Sequence, residues 1–236
     1  MLEENEVEKM NILLIEDDAV IASQIQKDFV AWNYHVVTPT DFHDVLHDFE
    51  VVAPQLVMID IQLPAFDGFH WCRQIRAIST VPILFLSSRD QPLDMVMAMQ
   101  MGADDYVQKP FHMDVLRSKV QAILRRTYDY QETKEEITTF HNAHVDYAAS
   151  TISKEAQVIE LTKNEQFILK VLLESPDEIV SRDNLMKRLW DDARFVNDNT
   201  LTVNVNRLRS KLEELGLVDV IVTKKGLGYM AVTHDV

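Results

Sequence analysis

The chain has 236 residues, of which 47% are hydrophobic, and its formal net charge is −15. This length suits one large domain or two ordinary ones with real cores. The single cysteine, Cys72, excludes an internal disulfide, and no apolar run approaches the roughly 20 residues of a membrane span. The N-terminus is acidic, whereas a signal peptide opens basic, so we expect a cytoplasmic protein without membrane insertion.

The first half of the chain alternates between two kinds of segment. Short, continuous apolar runs cover residues 11–15, 56–59 and 82–86, and amphipathic stretches with helical spacing lie between them. Continuous apolar runs are typical of strands that are buried on both faces of a parallel sheet. The pattern predicts a doubly wound α/β domain over residues 10–126, after a loose tail of residues 1–9.

The second half has a different pattern, and a polar, charged stretch at 127–137 that we interpret as a linker precedes it. Residues 140–161 are rich in β-branched side chains and predict a small antiparallel sheet. Three helix starts follow, with Thr162, Ser181 and Asp198 as capping residues and Glu165 as the capping-box partner of Thr162. Residues 220–232 form a hairpin pattern that turns at its glycines. Residues 138–236 are therefore expected to be an α+β domain.

Polar side chains stand where the predicted parallel strands end. Glu16 and Asp17 follow the first strand, Asp60 ends the third, Ser87 ends the fourth and Lys109 follows a short fifth strand. The carboxyl ends of parallel strands form the ligand sites of open α/β sheets, so these groups should converge. Clustered carboxylates fit Mg²⁺, and a carboxylate beside such a metal can attack a phosphoryl group.

These residues resemble the receiver domain of the response-regulator family, which has a five-stranded flavodoxin-like fold. The resemblance rests on motifs in order: residues 16–18, 60–68, Ser87, 102–106 and 109–111. It implies that Asp60 is the phosphoacceptor and that Lys109 contacts the phosphoryl oxygens. It also implies Mg²⁺ as cofactor, with Asp17, Asp60 and the backbone carbonyl of Gln62 as metal ligands and Glu16 acting partly through water. Ser87 and Tyr106 resemble the family's switch pair, two side chains that move when Asp60 is phosphorylated.

Residues 199–212, taken as a helix, place their apolar side chains on one face and leave the other face nearly free of acids. That exposed face holds Asn199, Val203, Asn206 and Ser210, with Thr202 and Arg207 at its edges. Arg, Asn and Thr side chains can read base edges in the major groove. A local excess of cations within residues 199–230 therefore offsets the acidic total charge and favours a nucleic-acid interface.

Residues 138–233 resemble the winged-helix effector domain of the OmpR/PhoB subfamily. The matches are residues 161–165, 180–182, 189–190, 200–212 and the glycine-containing wing that ends at Tyr229. By this resemblance Arg207 reads a base, and further residues make backbone or edge contacts: Asn204, Asn206, Arg209, Thr223, Lys224 and Lys225. Asn199 and Thr202 depart from the Arg and Asp of many members, which leaves the base preference open.

Residues 195–209 look most like regulators of the bacitracin-sensing type, which serve membrane histidine kinases paired with peptide exporters in Gram-positive bacteria. The implied partners are a sensor histidine kinase, double-stranded promoter DNA and a second copy of the chain on phosphorylation, with RNA polymerase as a further candidate. Asp104 with Arg126, and Asp105 with Lys119, have suitable charges for ion pairs across such a dimer.

Three alternatives stay open at this point. The acidic site alone also fits a Mg²⁺-dependent phosphatase or phosphotransferase with Asp60 as nucleophile. The winged half alone fits a DNA-binding regulator that works without phosphorylation, or a module that docks on protein. The locally basic segment 199–230 argues against an enzyme, and the complete acidic site argues against a regulator that is independent of phosphorylation.

Overall fold

The computed structural model describes residues 9–88, 92–128, 137–190 and 198–233. Its N-terminal part is a five-stranded parallel sheet in the order β2-β1-β3-β4-β5. The strands are β1 (Met10–Ile15), β2 (Tyr34–Val37), β3 (Leu56–Asp60), β4 (Ile83–Ser87) and β5 (Asp105–Gln108). The helices are α1 (Ala19–Val30), α2 (Val45–Val52), α3 (Gly68–Arg76), α4 (Pro92–Gln100) and α5 (Met113–Tyr128).

Both faces of this sheet are covered, which explains the continuous apolar runs. Ile12 and Leu14 of β1 pack in one core with residues of α1 and α5. Leu13 and Ile15 point to the opposite core, which contains residues of α2, α3 and α4. Because alternate side chains of a strand face opposite sides, every position of a doubly covered strand must be apolar. The predicted doubly wound α/β fold is confirmed.

Helix α5 continues two residues beyond its predicted end at Arg126 and closes with Tyr128. The Tyr128 hydroxyl donates a hydrogen bond of 2.9 Å to the carbonyl oxygen of Gln55, and burial raises the pKa of Tyr128 to about 12. The last turn of α5 is therefore anchored to the receiver sheet. Most of the predicted linker, residues 129–136, and the predicted tail up to residue 8 lie outside the described residues.

The C-terminal part is an α+β domain, as the sequence predicts, and it has two antiparallel sheets. The first sheet holds β6 (Ile137–Phe140), β7 (Ala143–Asp146), β8 (Thr151–Lys154) and β9 (Gln157–Glu160). Helices α6 (Lys163–Leu173), α7 (Arg182–Trp190) and α8 (Asp198–Glu214) follow. The second sheet has the order β10-β12-β11, with β10 (Val180–Ser181), β11 (Ile221–Lys224) and β12 (Gly228–Ala231). The hairpin of β11 and β12 is the wing. This predicted hairpin is joined by the further short strand β10, which the sequence does not predict.

Two of the predicted helix starts are visible in the hydrogen bonds. Thr162 and Glu165 form the reciprocal capping box at α6. The Ser181 hydroxyl accepts a hydrogen bond of 3.1 Å from the backbone N–H of Asn184 at the start of α7. The side chain of Asp198 lies outside the described residues, although α8 begins at that position. Among the helices of the described ranges, none combines the length and the apolar character needed to cross a membrane.

The loop after β3 folds back tightly over the end of that strand. The backbone N–H of Gly68 donates to the carbonyl oxygen of Ile61 at 2.9 Å. A Cβ atom on Gly68 would lie 2.2 Å from the carbonyl oxygen of Asp60 and 2.9 Å from a methyl carbon of Ile59. Only glycine allows this approach, so the geometry around Asp60 depends on it.

We expect Gly68→Ala to destabilise the chain by about 1–3 kcal/mol, because the added methyl group collides with rigid backbone. Gly226→Ala is the matched control: Gly226 has a positive φ of 74° but open space around its Cβ position. Its cost should be about 1 kcal/mol, from backbone strain alone. Denaturant unfolding measures the free energy of unfolding of both variants. Equal losses of stability in the two would contradict the steric collision at Gly68.

Candidate functional site

The carboxyl ends of β1, β3, β4 and β5 bring five polar residues to one edge of the parallel sheet. Glu16 and Asp17 follow β1, Asp60 is the last residue of β3, Ser87 is the last of β4, and Lys109 follows β5. Ligand oxygens of Glu16, Asp17 and Asp60 lie within 4.8 Å of one another. Glu16, Asp60 and Ser87 are buried, whereas Asp17 is exposed. The site is therefore a crevice that opens to solvent on the Asp17 side.

Lys109 ties this crevice together. Its Nζ donates hydrogen bonds of 2.6 Å to Glu16 Oε2 and 2.6 Å to Asp60 Oδ2. Burial alone would lower the pKa of Lys109, but the hydrogen bonds and charges of Asp60 and Glu16 outweigh burial and raise it. The ammonium group is therefore firmly charged and stands beside the oxygen atoms of Asp60.

The carboxylates fit a hard divalent cation. Burial raises the pKa of Glu16, even though Lys109 and a hydrogen bond from the backbone N–H of Asp18 act in the opposite direction. Among the described residues, the ion pairs of this cluster of three carboxylates are with Lys109 alone, so negative charge is in excess there. All-oxygen donors with an open, solvent-facing side suit Mg²⁺, which keeps several waters when bound to proteins. The backbone N–H of Gln62 donates to Asp60 Oδ1 at 3.0 Å, which fixes the carboxylate and places the Gln62 main chain beside the site.

Ser87 and Tyr106 lie behind the crevice. Ser87 is fully buried, and its carbonyl oxygen accepts a hydrogen bond of 2.7 Å from the backbone N–H of Lys109. Tyr106 is 6% exposed and belongs to the hydrophobic core that also contains Met99 and Ala103. The ring therefore lies on the face of the sheet that α2, α3 and α4 cover.

Helix α8 and the wing form the second candidate site. The inner face of α8 carries Leu201, Val205, Leu208 and Leu212, all fully buried in the effector core. Asn199, Asn206 and Ser210 are exposed on the opposite face. In the wing, Thr223 and Lys225 are exposed and Lys224 is half-buried.

Two arginines fix α8 against the wing. Arg209 donates to the carbonyl oxygen of Ile221 and to the Thr223 hydroxyl, both at 2.8 Å. Arg182 donates to the Thr202 hydroxyl at 3.0 Å, and its guanidinium lies 5.4 Å from the centre of the Tyr229 ring. Side-chain contacts therefore connect α8 to the wing on one surface of the effector domain.

Comparison with known proteins agrees with both halves of this architecture. Residues 12–121 match the family "Response regulator receiver domain", and residues 156–231 match the family "Transcriptional regulatory protein, C terminal". A "Sensory transduction protein BceR" of Halalkalibacterium halodurans is 55% identical over 228 residues, which cover 95% of this chain and 99% of that protein. The chain belongs to the response regulators.

Further relatives extend the same picture. BceR of Bacillus subtilis is 54% identical over 95% of this chain and 97% of that protein. The "Response regulator protein GraR" of Staphylococcus aureus is 50% identical over 94% of this chain and 99% of that protein. A solved structure of a RitR mutant has a TM-score of 0.76 at 22% identity, over 94% of this chain and 98% of that chain, and this likeness concerns the fold. This regulator therefore joins a receiver domain to an OmpR/PhoB-type DNA-binding effector domain.

In this response regulator Arg207 is partly buried on α8 and contacts the receiver. Its Nη1 donates to the carbonyl oxygens of Met99 at 3.1 Å and Ala103 at 3.4 Å, both in the receiver. Its Nη2 forms an ion pair of 3.0 Å with the buried carboxylate of Glu165. Arg207 and Lys211 outweigh the effect of burial and lower the pKa of Glu165, which keeps that partner ionised.

The residues expected at a dimer interface are buried and make contacts within one chain. Lys119 Nζ lies 2.8 Å from Asp105 Oδ2, so this predicted cross-dimer pair exists inside the receiver. Asp104 pairs with Arg76 at 2.7 Å, and Arg126 donates to Asn164 Oδ1 at 3.0 Å. An ion pair between Asp104 and Arg126 of two copies would require these contacts to be exchanged.

Asn204 is a predicted DNA contact that is buried in this structure. It is fully buried, and its amide donates to the carbonyl oxygen of Thr200 at 2.9 Å. In the described arrangement Asn204 therefore lies between the apolar face of α8 and its Arg207 side, and its contact with DNA stays a prediction. The helical spacing of the sequence indicates this burial, because Asn204 lies only 60° from the buried Leu201 on a helical wheel of 100° per residue.

Sequence reasoning also missed three residues that organise the regulator. Arg182 links α7 to Thr202 and to the wing, Glu165 is the charge partner of Arg207 and Lys211, and Asn164 connects the two domains. Glu165 was recognised only as a capping residue. No local pattern reveals a partner 42 positions away, so only the capping role was readable.

We expect Asp17→Asn to weaken Mg²⁺ binding at least about tenfold, because one anionic oxygen ligand is lost at an exposed position where folding is little affected. Asp18→Asn is the matched control. The Asp18 side chain accepts from the N–H groups of Val20 and Ile21 as the cap of α1, and asparagine preserves a cap. Calorimetric titration measures the Mg²⁺ affinity of the two variants. Equal Mg²⁺ affinities of Asp17→Asn and Asp18→Asn would contradict the role of Asp17 as a metal ligand.

Proposed function

We propose that this response regulator accepts a phosphoryl group on Asp60 from a sensor histidine kinase and then binds promoter DNA as a dimer. The observation that carries the proposal is the buried Asp60 carboxylate, held by the Gln62 N–H and bonded to the Lys109 ammonium group. A single carboxylate that is oriented in this way, with one side of its crevice open, is suited to nucleophilic attack on phosphorus. The family of the chain supports the same assignment.

In the proposed reaction an oxygen of Asp60 forms a bond to phosphorus as the bond between phosphorus and the kinase histidine breaks. Lys109 neutralises negative charge on the phosphoryl oxygens, for which it must give up part of its bonding to Glu16 and Asp60. Glu16, Asp17, Asp60 and the carbonyl of Gln62 would hold Mg²⁺, which when bound supplies electrostatic stabilisation of the transferred group. Ser87, at the end of β4, is the proposed hydroxyl donor to the product, with Tyr106 behind it.

The effector half supplies the output. We assign base reading to Arg207 and DNA contacts to the exposed residues of α8 and the wing: Asn199, Thr202, Asn206, Arg209, Thr223, Lys224 and Lys225. The proposed domain limits are 10–126 for the receiver, 127–137 for the linker and 138–236 for the effector. Dimerisation through α4, β5 and α5 would present two α8 helices to two half-sites and raise affinity through effective concentration.

The regulated process is part of the proposal. The resemblance of residues 195–209 to regulators of the bacitracin-sensing type, together with identities of 50–55% to GraR and BceR, supports control of antimicrobial-peptide resistance or cell-envelope stress genes. The proposed location is the cytoplasm, with RNA polymerase as a further partner. We propose no catalytic turnover beyond loss of the phosphoryl group from Asp60.

We expect incubation with Mg²⁺ and acetyl phosphate to add one phosphoryl group to the wild type and none to Asp60→Asn. Intact-mass spectrometry reads the result, and Asp67→Asn is the control. Asp67 caps α3 and lies outside the acidic cluster, so this variant should be labelled like the wild type. A wild type that is folded but unlabelled would refute the phosphoacceptor and favour a regulator that works without phosphorylation.

On the phosphorylated protein, we expect Arg207→Ala to lose about 1–3 kcal/mol on DNA selected from a random pool and much less on scrambled DNA. Lys225→Ala should weaken binding to both and lower the salt slope by about one, because it removes a single phosphate contact. Fluorescence anisotropy over a salt series measures both variants. Equal losses on the two DNAs for both variants would refute this division between base reading and phosphate contact.

A further inference from the structure

We propose that Lys163 is an acyl-acceptor site, at which the side-chain amine attacks the carbonyl carbon of an acyl phosphate and becomes a neutral amide. Lys163 is the first residue of α6 in the effector domain, and it is partly buried. Neither the proposed phosphorylation nor the proposed DNA contacts use this residue. The inference therefore adds a second chemical modification to the one proposed for Asp60.

The amino group of Lys163 has a neutral partner. Its Nζ donates a hydrogen bond of 2.5 Å to the Ser150 hydroxyl. That hydroxyl in turn donates to Gln166 Oε1 at 3.0 Å, which fixes its orientation. A hydroxyl group carries no charge, so it compensates the loss of water around an ammonium group less well than a carboxylate does. The contact therefore holds the lysine in place without strongly favouring its charged form.

Other lysines of limited exposure have a different environment. Three of them pair with carboxylates: Lys109, Lys119 and Lys211. The ion pairs found among the described residues do not include Lys163. Its position at the start of α6 disfavours the cation further, because the first N–H groups of a helix carry the positive end of the helix dipole.

Two carboxylates near the first turn of α6 already have cationic partners. Glu165 pairs with Arg207 at 3.0 Å, and Asp104 of the receiver pairs with Arg76 at 2.7 Å. Burial lowers the pKa of Lys163, and the negative charge of Asp104 acts in the opposite direction without reversing this result. Further charged groups lie on the neighbouring elements: Arg126 in α5, Asp146 at the end of β7 and Lys211 in α8.

The neutral amine carries the lone pair that the reaction needs. The nitrogen of Lys163 forms a bond to the acyl carbon as the bond between that carbon and the phosphate oxygen breaks. The proton that the nitrogen loses passes to the released phosphate. Lysines that are partly withdrawn from water serve as nucleophiles in this way. Ser150 is the poorer acceptor, because it is 2% exposed and its oxygen already accepts a hydrogen bond from Lys163.

An acyl phosphate would thus react with this chain in two ways. Asp60 would attack the phosphorus atom and take the phosphoryl group, whereas Lys163 would attack the carbonyl carbon and take the acyl group. The two products differ in charge, because phosphorylation adds negative charge to the receiver and acylation removes a positive charge from the effector. The acylated side chain would also lose its attraction to Asp104 of the receiver.

The test incubates the full chain with acetyl phosphate over a pH series and maps the acetylated lysines by peptide mass spectrometry. Lys170 is the internal control, since it is also partly buried and lies in the last turn of the same helix. Its Nζ lies 5.4 Å from the centre of the Tyr147 ring. The ring and the negative end of the helix dipole both stabilise its charged form. We expect Lys163 to be acetylated at least about threefold faster than Lys170 near neutral pH, and its rate to level off at a lower pH.

Ser150→Asp and Ser150→Asn form a matched pair of variants. Ser150 has a positive φ of 55°, which Asp and Asn tolerate better than most residues. The two side chains are similar in size, and only Asp places a negative charge beside the amine of Lys163. Acetylation of Lys163 should be at least about threefold slower in Ser150→Asp than in Ser150→Asn, with Lys170 equal in both. Equal rates at Lys163 in the two folded variants would contradict the proposal. If neither variant folds, the wild-type pH series decides alone, and a rate at Lys163 that never exceeds that at Lys170 overturns it.

A second arm separates this inference from the proposed phosphorylation. Acetyl and phosphoryl groups add different masses, and Asp60→Asn without Mg²⁺ should be acetylated at Lys163 as fast as the wild type. If Lys163 is acetylated preferentially while Asp60 of the wild type takes up no phosphoryl group, the proposed phosphoacceptor fails alone. If Asp60 is phosphorylated and Lys163 reacts no faster than Lys170, the acyl-acceptor site is refuted alone.

Discussion

The repulsion among carboxylates at one edge of the parallel sheet is the constraint on which the rest of the regulator depends. Glu16, Asp17 and Asp60 are brought within a few ångströms because parallel strands end side by side. Lys109, delivered by the last strand, relieves only part of this repulsion. The remaining negative charge makes a divalent cation favourable there. Burial keeps water from screening the interaction, so a change of charge at Asp60 must act on its neighbours.

The receiver was largely readable from the sequence because its signals are local and redundant. Strands covered on both faces appear as unbroken apolar runs, as in residues 11–15 and 56–59. β2 gave no such signal, since it is an edge strand in which only Val36 is buried. The two-residue β10 is too short for any pattern. The parallel-sheet topology predicts that Asp60 and Lys109 lie close together. That the Lys109 ammonium group bonds both Glu16 and Asp60 could be seen only in the structure.

The effector was readable in its elements and much less so in its contacts. The inner face of α8 was predicted correctly from helical spacing, while the surroundings of Arg207 and Asn204 were not. These two residues lie at the side of α8 that meets α6 and the receiver. Periodicity distinguishes inward from outward positions within one domain. It carries no information on which outward positions a second domain will cover.

Arg207 bonds to the receiver and is also proposed to bond to a base. This double role limits which substitutions at position 207 related regulators can accept. After gene duplication, a copy can acquire new operators by changing the residue at position 207. The same change removes the contacts of Arg207 with the carbonyl oxygens of Met99 and Ala103 in the receiver. A change of side chain at this position therefore alters the contact between the two domains as well as the DNA-facing surface, and compensating changes are expected in the turn between α4 and β5.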